Sequence, residues 1–171
     1  VDDKIEVLPV SFNLQPQNRG RQQGWGVEAE WRAYWRQQML QLQGAWQDTD
    51  NISQHPFFGE IRTSTASYPR LQGRLAWTAN TGDWGNLALS LRYASPRRAS
   101  SSNTNANLGD SYQLPGYSVW RLHWFKDWRQ HRLSLSVDNL FNHAYAEPGY
   151  GGVDLPGAPR QLTVGYQWSA L

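Results

Sequence analysis

Apolar and polar residues alternate with a period of two in several stretches of the chain. In "LQGRLAWTA" (71–79), Leu71, Gly73, Leu75 and Trp77 share one face and Gln72, Arg74, Ala76 and Thr78 the other. "NLALSLRYA" (86–94) sets Leu87, Leu89, Leu91 and Tyr93 against Ala88, Ser90 and Arg92. "RLSLSVDNL" (132–140) sets Leu133, Leu135 and Val137 against Arg132, Ser134, Ser136 and Asp138. "QLTVGYQW" (161–168) sets Leu162, Val164, Tyr166 and Trp168 against Gln161, Thr163, Gly165 and Gln167. This period predicts half-buried β-strands. Further strands are expected over Trp25–Trp35, Leu40–Trp46 and Ser118–Phe125, and another near Ile5–Asn13, where Pro9 interrupts the run. "VEAEWRAYWRQQMLQLQGAW" (27–46) is built from good helix formers, but its apolar positions follow period two better than 3.6.

The connections add topology. Gaps between strands near 34 and 39, 80 and 85, and 126 and 131 are short; those between 14 and 24, 48 and 70, 95 and 117, and 141 and 160 are long. Short and long alternate, as in an up-and-down antiparallel sheet with one tight end and one loopy end. Transmembrane barrels share this asymmetry, with short periplasmic turns and longer extracellular loops. The long loops 47–70 and 95–116 are polar and carry no packing pattern.

Alternation alone does not separate a membrane barrel from a soluble sandwich, and composition shifts the balance. Only 39% of residues are hydrophobic and mean hydropathy is −0.70, yet the chain of 171 residues holds 10 Trp and 8 Tyr. Trp77, Tyr93, Tyr166 and Trp168 fall at strand ends on the apolar face, and Trp25, Trp31 and Trp46 also lie on apolar faces. Membrane interfaces select this placement. The opposite face carries Glu28, Glu30, Arg32, Arg74, Arg92, Arg121 and Arg132, which suits a water-filled lumen or the solvent side of a sandwich.

Several chemistries find no support. The chain has no Cys, which removes disulfides, thiolate metal sites and a Cys nucleophile. His55, His123, His131 and His143 show no metal-ligand spacing, and G-x-S-x-G is absent. No cofactor and no catalytic residue is expected. A formal charge of +2, with no long Lys/Arg run, gives no footprint for nucleic acid. No apolar segment of about 20 residues predicts a membrane-spanning helix.

Motifs near the C-terminus sharpen the picture. "VDNLFNHAYAEPG" (137–149) followed by "LPGAPRQLTVGYQW" (155–168) resembles the C-terminal end of TonB-dependent outer-membrane receptors. The matching residues are Asp138, Asn139, Leu140, Phe141, Asn142 and Tyr145, then Pro156, Gly157, Arg160 and the "VGYQW" that ends at Trp168. "NRGRQQGWGVEAEW" (18–31) and "PGYSVWRLHW" (115–124) are similar to earlier strands of that family. Within this frame Asp138 and Asn139 are expected to bond nearby backbone groups as the strand leaves the bilayer, and Leu140 and Phe141 to anchor the rim.

The resemblance implies an all-β fold: an antiparallel up-and-down transmembrane β-barrel segment of about eight strands, from a barrel of 22 with a plugged lumen. Residues 1–171 then form the C-terminal part, without the plug domain. The implied function is part of an active-transport receptor for a ferric siderophore or similar scarce nutrient chelate. Its partners would be outer-membrane lipid, the TonB complex acting through the plug, and the barrel assembly machinery, and it would not be an enzyme. Arg97 and Arg98 could meet an anionic ferric chelate or be solvated loop charge. Phe57, Phe58, Tyr112 and Tyr150 could stack on a ligand or pack loop on loop. Two alternatives stay open on the residues alone: a soluble β-sandwich that binds carbohydrate, and a self-contained eight-stranded outer-membrane barrel.

Overall fold

A computed structural model describes residues 5–10, 13–18, 21–55, 57–65, 67–100, 103 and 112–169. The chain runs through β1 (Ile5–Val10), β2 (Asn13–Asn18), β3 (Arg21–Trp35), β4 (Gln38–His55), β5 (Gly59–Ser64), β6 (Leu71–Asn80) and β7 (Asn86–Ala94). There follow β8 (Arg97–Arg98), β9 (Gln113–Leu114), β10 (Tyr117–Trp128), β11 (His131–Asp138), β12 (Ala146–Tyr150), β13 (Val153–Pro156) and β14 (Gln161–Trp168). A sheet of eight strands, all pairs antiparallel, has the order β14-β11-β10-β7-β6-β4-β3, with β5 added along the far end of β4.

Two expectations about strands are corrected. The interrupted run at Ile5–Asn13 does not join this sheet; β1 and β2 pair with each other, with Pro9 opposite Leu14. The eighth strand is instead β5. Loop 48–70, expected to be irregular, holds a β-hairpin, because β4 continues to His55 and pairs back with β5 from His55↔Gly59 to Asp50↔Ser64. The apolar signal stops at Trp46 although the ladder does not. A strand wet on both faces has no reason to alternate. The helical possibility over 27–46 resolves into β3, a turn and β4, paired from Arg21↔Ile52 to Trp35↔Gln38.

The tight end is made by Arg36-Gln37, by a 3₁₀ turn at Gly82–Trp84 and by Arg129-Gln130. Arg36 and Arg129 both take positive φ, 51° and 53°, after a Trp and before a Gln. In each turn the Gln carbonyl accepts the N–H of the next strand over, Asn80 on Gln37 and Ser169 on Gln130, at 2.9 Å. Gly85 closes the middle turn at φ 91°, and a Cβ there would meet the Phe125 carbonyl at 2.5 Å. All three tight turns lie at one end, and the connections carrying β5, β8–β9 and β12–β13 lie at the other.

Register lines the apolar residues into continuous rows. Ala33, Leu40, Trp77, Leu89, Leu122, Val137 and Leu162 follow one another across the sheet. Among the described residues nothing covers this face. Trp25 is 67% exposed, and Val27, Trp31, Leu42, Leu135, Leu162 and Val164 are exposed as well. A sandwich would set a second layer here; the eight-stranded sheet has none. Its edges, β3 and β14, each have one neighbour and do not pair with each other, so the barrel is not closed by these strands. Aromatic side chains flank the aliphatic rows. Trp25 meets Trp46 edge-on at 4.6 Å between ring centres at the loop end. At the turn end, the Trp77 indole donates to Gln38 Oε1 at 2.9 Å and the Trp124 indole to the Trp84 carbonyl at 2.7 Å. Indoles with apolar bodies and satisfied N–H groups suit the two boundaries of a bilayer.

Candidate functional site

The face opposite the apolar rows is polar and cross-linked. Arg121 Nε reaches Asp138 Oδ1 at 2.8 Å, and Arg132 reaches Asp127 at 2.6 Å. Glu30 pairs with Arg32 and accepts from Gln41 and Gln43 at 3.1 Å. Toward the loop end, this wall and the loops form an open cavity of about 720 Å³, whose charged lining is Glu28, Glu30, Arg74, Arg92, Arg97 and Glu147, with Tyr117 beside them. A second hollow of about 480 Å³, which shares Arg74 and Arg92, extends to Asp138, Asn139 and Tyr145.

Glu147, from β12, is the hub. Its Oε2 accepts from Arg97 Nη2 at 2.5 Å, its Oε1 accepts from the Tyr117 hydroxyl, and Arg92 Nη2 stands 3.7 Å away. Arg97 Nη2 also donates to the Ala146 carbonyl at 3.1 Å. The Arg97 side chain is 1% exposed. Arg92 donates to the Tyr145 hydroxyl at 3.2 Å and lies over the rings of Tyr117 and Tyr145, at 5.2 and 5.7 Å. Those rings are 4.5 Å apart. Such charge-assisted bonds are stronger than neutral ones, and guanidinium stacking on rings adds to them.

A second network ties the loops together. Asp154 accepts from the Tyr112 hydroxyl, from Asn103 Nδ2 at 3.0 Å and from the Gly149 N–H at 3.5 Å. Asn103 in turn accepts the Gly152 N–H at 2.7 Å. Burial works against the Asp154 charge, but hydrogen bonds from Tyr112, Asn103 and Gly149, with the Arg97 charge, outweigh it and hold the carboxyl below its ordinary range. The same bond to Asp154, with desolvation, pushes the Tyr112 phenol up.

The "DNLF" stretch has a definite mechanical role. Asn139 takes a left-handed conformation, φ 49°, and is 3% exposed. Its amide donates to the carbonyls of His143 and Ala158 and accepts the His143 N–H, all at 2.9 Å. Asn142, also left-handed at φ 52°, accepts the Arg160 N–H at 2.9 Å. These bonds join the exit of β11 to the start of β14. Of the pair expected to cap the backbone, Asn139 does so, whereas Asp138 pairs with Arg121. Leu140 donates its N–H to Trp120, and Phe141 meets the Trp120 ring edge-on at 6.3 Å. Tyr145 lies flat against Gly157, where a Cβ would come within 2.3 Å of the ring. That contact is a reason for the glycine after Pro156.

Of the expected ligand contacts, Arg97 lines the cavity. Arg98 pairs with Gln113, and its carbonyl accepts the Ser67 N–H at 2.9 Å. Tyr112 is engaged with Asp154. Phe57 and Phe58, 88% and 77% exposed, sit at the β4–β5 turn, and exposed Tyr150 at the β12–β13 turn; none of these lines the cavity. Residues 101–102 and 104–111 of loop 95–116 lie outside the described residues, as do Ala170 and Leu171. Sequence reasoning did not single out Tyr117 or Glu147. A lone Glu in "AEPG" has no motif, and only the fold brings it beside Arg92 and Arg97. Among the described residues no group of three His, Cys, Asp or Glu could hold a metal ion. His123 instead shares a 2.6 Å bond with Ser136, and His131 a 2.7 Å bond with Tyr166.

An antiparallel sheet with one apolar, uncovered, aromatic-edged face and one polar, ion-paired face is the wall of an outer-membrane β-barrel. The β-barrel model of TonB-dependent receptor-like proteins matches residues 1–140, and the chain belongs to that family. The match takes in the first dozen residues, which carry none of the motifs above, and stops within the "DNLF" motif. No curated protein sequence matches. Among solved structures, the chain is similar to the ferripyoverdine receptor of the outer membrane of Pseudomonas aeruginosa, bound to ferripyoverdine, with a TM-score of 0.74 and 14% identity over 98% of this chain and 23% of that one. It is also similar to the FrpB iron transporter from Neisseria meningitidis, at TM-score 0.73 and 15% identity over 98% and 27% of the two chains. The siderophore receptor PiuA from Acinetobacter baumannii gives 0.71 and 12%, over 90% and 22%. The chain thus spans about a quarter of the length of these structures.

Proposed function

We propose that this chain is the C-terminal wall of an outer-membrane receptor that takes up a ferric siderophore or a similar scarce nutrient chelate. Uptake is energised through TonB, which reaches the barrel by way of a plug domain on the rest of the polypeptide, and the barrel is inserted by the barrel assembly machinery. The observation that carries this reading is the cavity lined by Arg74, Arg92, Arg97 and Tyr117 on the face away from lipid, roofed by the loop bearing Glu147. Guanidinium and phenol groups suit an oxygen-rich, anionic chelate. Family membership and the cargo named for the similar structures support the class of ligand. The apolar face, which no layer of the described residues covers, argues against a soluble carbohydrate-binding sandwich. The test is uptake of radioactive iron by iron-starved cells with and without the full-length receptor gene, over a panel of ferric chelates. At least one chelate should require both the gene and an intact proton gradient. Equal uptake of every chelate in both strains would overturn the proposal.

A further inference from the structure

Three guanidiniums, Arg74, Arg92 and Arg97, and three carboxylates, Glu28, Glu30 and Glu147, line the cavity, but they are not paired one to one. Arg74 and Arg92 are directly opposite each other on β6 and β7, facing the same side. Like charges in that position repel. Arg74 is exposed and makes no ion pair among the described residues. The carboxylate in its row, Glu30, lies two strands away across Gln43, roughly 10 Å at the ordinary strand spacing, and is held by Arg32, Gln41 and Gln43. Arg92 and Arg97 therefore share one carboxylate, Glu147, while Arg74 is left without an ion pair among the described residues. That carboxylate uses Arg97 incompletely: it engages Nη2, while Nη1 is buried with no hydrogen-bond partner among the described residues. A buried guanidinium N–H left unpaired is costly.

We infer that Arg74, Arg92 and Arg97 form an oxyanion site in which Glu147 is the resident anion, and that a soluble carboxylate-bearing ligand takes its place. The inference rests on the reading above that the polar face lines a lumen. Glu147 shows what the site is shaped for, since its two oxygens divide between Arg97 and the Tyr117 hydroxyl. An incoming carboxylate that grips Arg97 through both terminal nitrogens satisfies the group that Glu147 leaves unpaired. A second carboxylate on the same ligand meets Arg74. Displacing Glu147 also releases one fastening of the β12–β13 hairpin, with the Asp154 network among those that remain. Binding and loosening of that hairpin are then one event.

The full-length receptor, reconstituted in liposomes, tests this with iron-free citrate as probe. Calorimetry reads binding, and a bimane dye on Tyr150→Cys reads hairpin mobility. Citrate should bind and mobilise the dye. Arg74→Gln should weaken binding by about tenfold or more, the effect of losing a charged hydrogen-bond partner. Glu147→Gln should tighten it by roughly threefold or more, because the internal competitor is gone, and should mobilise the dye without citrate. No citrate binding, or binding indifferent to both substitutions, overturns the site. So does a drop in stability of citrate-free Arg74→Gln with unchanged binding, which would mean that Arg74 serves a carboxylate of the receptor's own polypeptide. An impermeant maleimide separates this from the parent reading. If Leu89→Cys labels and Ser90→Cys does not, the lumen assignment itself fails. If Ser90→Cys labels and citrate does not bind, only the oxyanion site fails.

Discussion

Asn139 gives the sharpest test of how the wall is held where it leaves the membrane. Its amide makes one accepting and two donating bonds, each of 2.9 Å, in a site 3% exposed. Each such bond contributes about 1 kcal/mol net, so removing all of them costs about 3 kcal/mol. Its φ of 49° adds a backbone term. Asn tolerates the left-handed region, whereas Ala there costs roughly 1 kcal/mol more. Asn139→Gly should therefore cost about 3 kcal/mol and Asn139→Ala about 4 kcal/mol.

The assay is amide hydrogen exchange in the full-length receptor, read at His143, whose N–H is given to Asn139 Oδ1. Local opening by 3 kcal/mol speeds exchange roughly a hundredfold, and by 4 kcal/mol several-hundredfold. Asn139→Asp is the informative control. It keeps the acceptor for His143 and the left-handed preference, but sets a carboxylate against the carbonyls of His143 and Ala158. It should be at least as destabilising as Gly at pH 7 and recover in acid, when a protonated carboxyl can donate again. Exchange within threefold of wild type in the Ala and Gly variants would refute the hydrogen-bond argument. Equal effects of Ala and Gly would refute the backbone part alone.

Other predictions follow from the two faces and the two ends. Leu89→Arg and Leu135→Arg put a charge on the lipid face, costing roughly 2–4 kcal/mol if near the midplane; they should impair assembly of the full receptor, while Ser90→Arg and Ser134→Arg are tolerated, as scored by the heat-modifiable gel shift. Cys substitutions at Tyr150 and Asp83 should be labelled by an impermeant thiol reagent on intact cells at Tyr150 only, and the reverse pattern would invert the topology. The Asp154 carboxyl is held below its ordinary value, so its contribution is present above about pH 4 and is lost as pH falls through the lower folded value. The raised Tyr112 phenol keeps its donor proton up to and beyond about pH 10. Protection of the Gly152 N–H against exchange, taken relative to the unfolded-chain rate at each pH, should therefore be high across that window and fall on acidification, and Asp154→Asn should abolish the acid limb.

The membrane-embedded part of the fold was legible because lipid imposes a rule on every second residue. Leu87, Leu89 and Leu91 announce β7 at a glance, and the tight turns between β3 and β4 and between β10 and β11 lie within a residue or two of where the alternation breaks. Outside the bilayer that rule lapses. The outer half of β4, with β5, β8, β9, β12 and β13, lacks a run of alternating apolar residues, and "DTDNISQH" reads as loop for that reason. The site was half legible. Arg74 and Arg92 showed their direction by register with Leu75 and Leu91. Glu147, Tyr117 and Asp154 gave no sign, because their roles depend on contacts 30 to 55 residues apart in the chain.

This division also says where the wall can move. The strands between the aromatic edges are held by continuous ladders and, in lipid, by side chains worth about 1.5–3 kcal/mol each when removed from water, so changes there are costly and shared across many residues. The loop end buries a few apolar side chains of its own, Ile52, Ala94, Ala99, Leu114 and Tyr117. The outer hairpins are also pinned by a few polar junctions: Glu147 on Arg97 and Tyr117, Asp154 on Tyr112 and Asn103, and Asn139 on His143 and Ala158. The first contains a Glu–Arg ion pair, for which an anion can compete, and the second a carboxylate, which acid discharges. The third is neutral, satisfied and next to the membrane, so it answers to neither. A ligand that competes for the charged junctions can therefore free the β12–β13 hairpin while Asn139 keeps β11 and β14 in register beneath it.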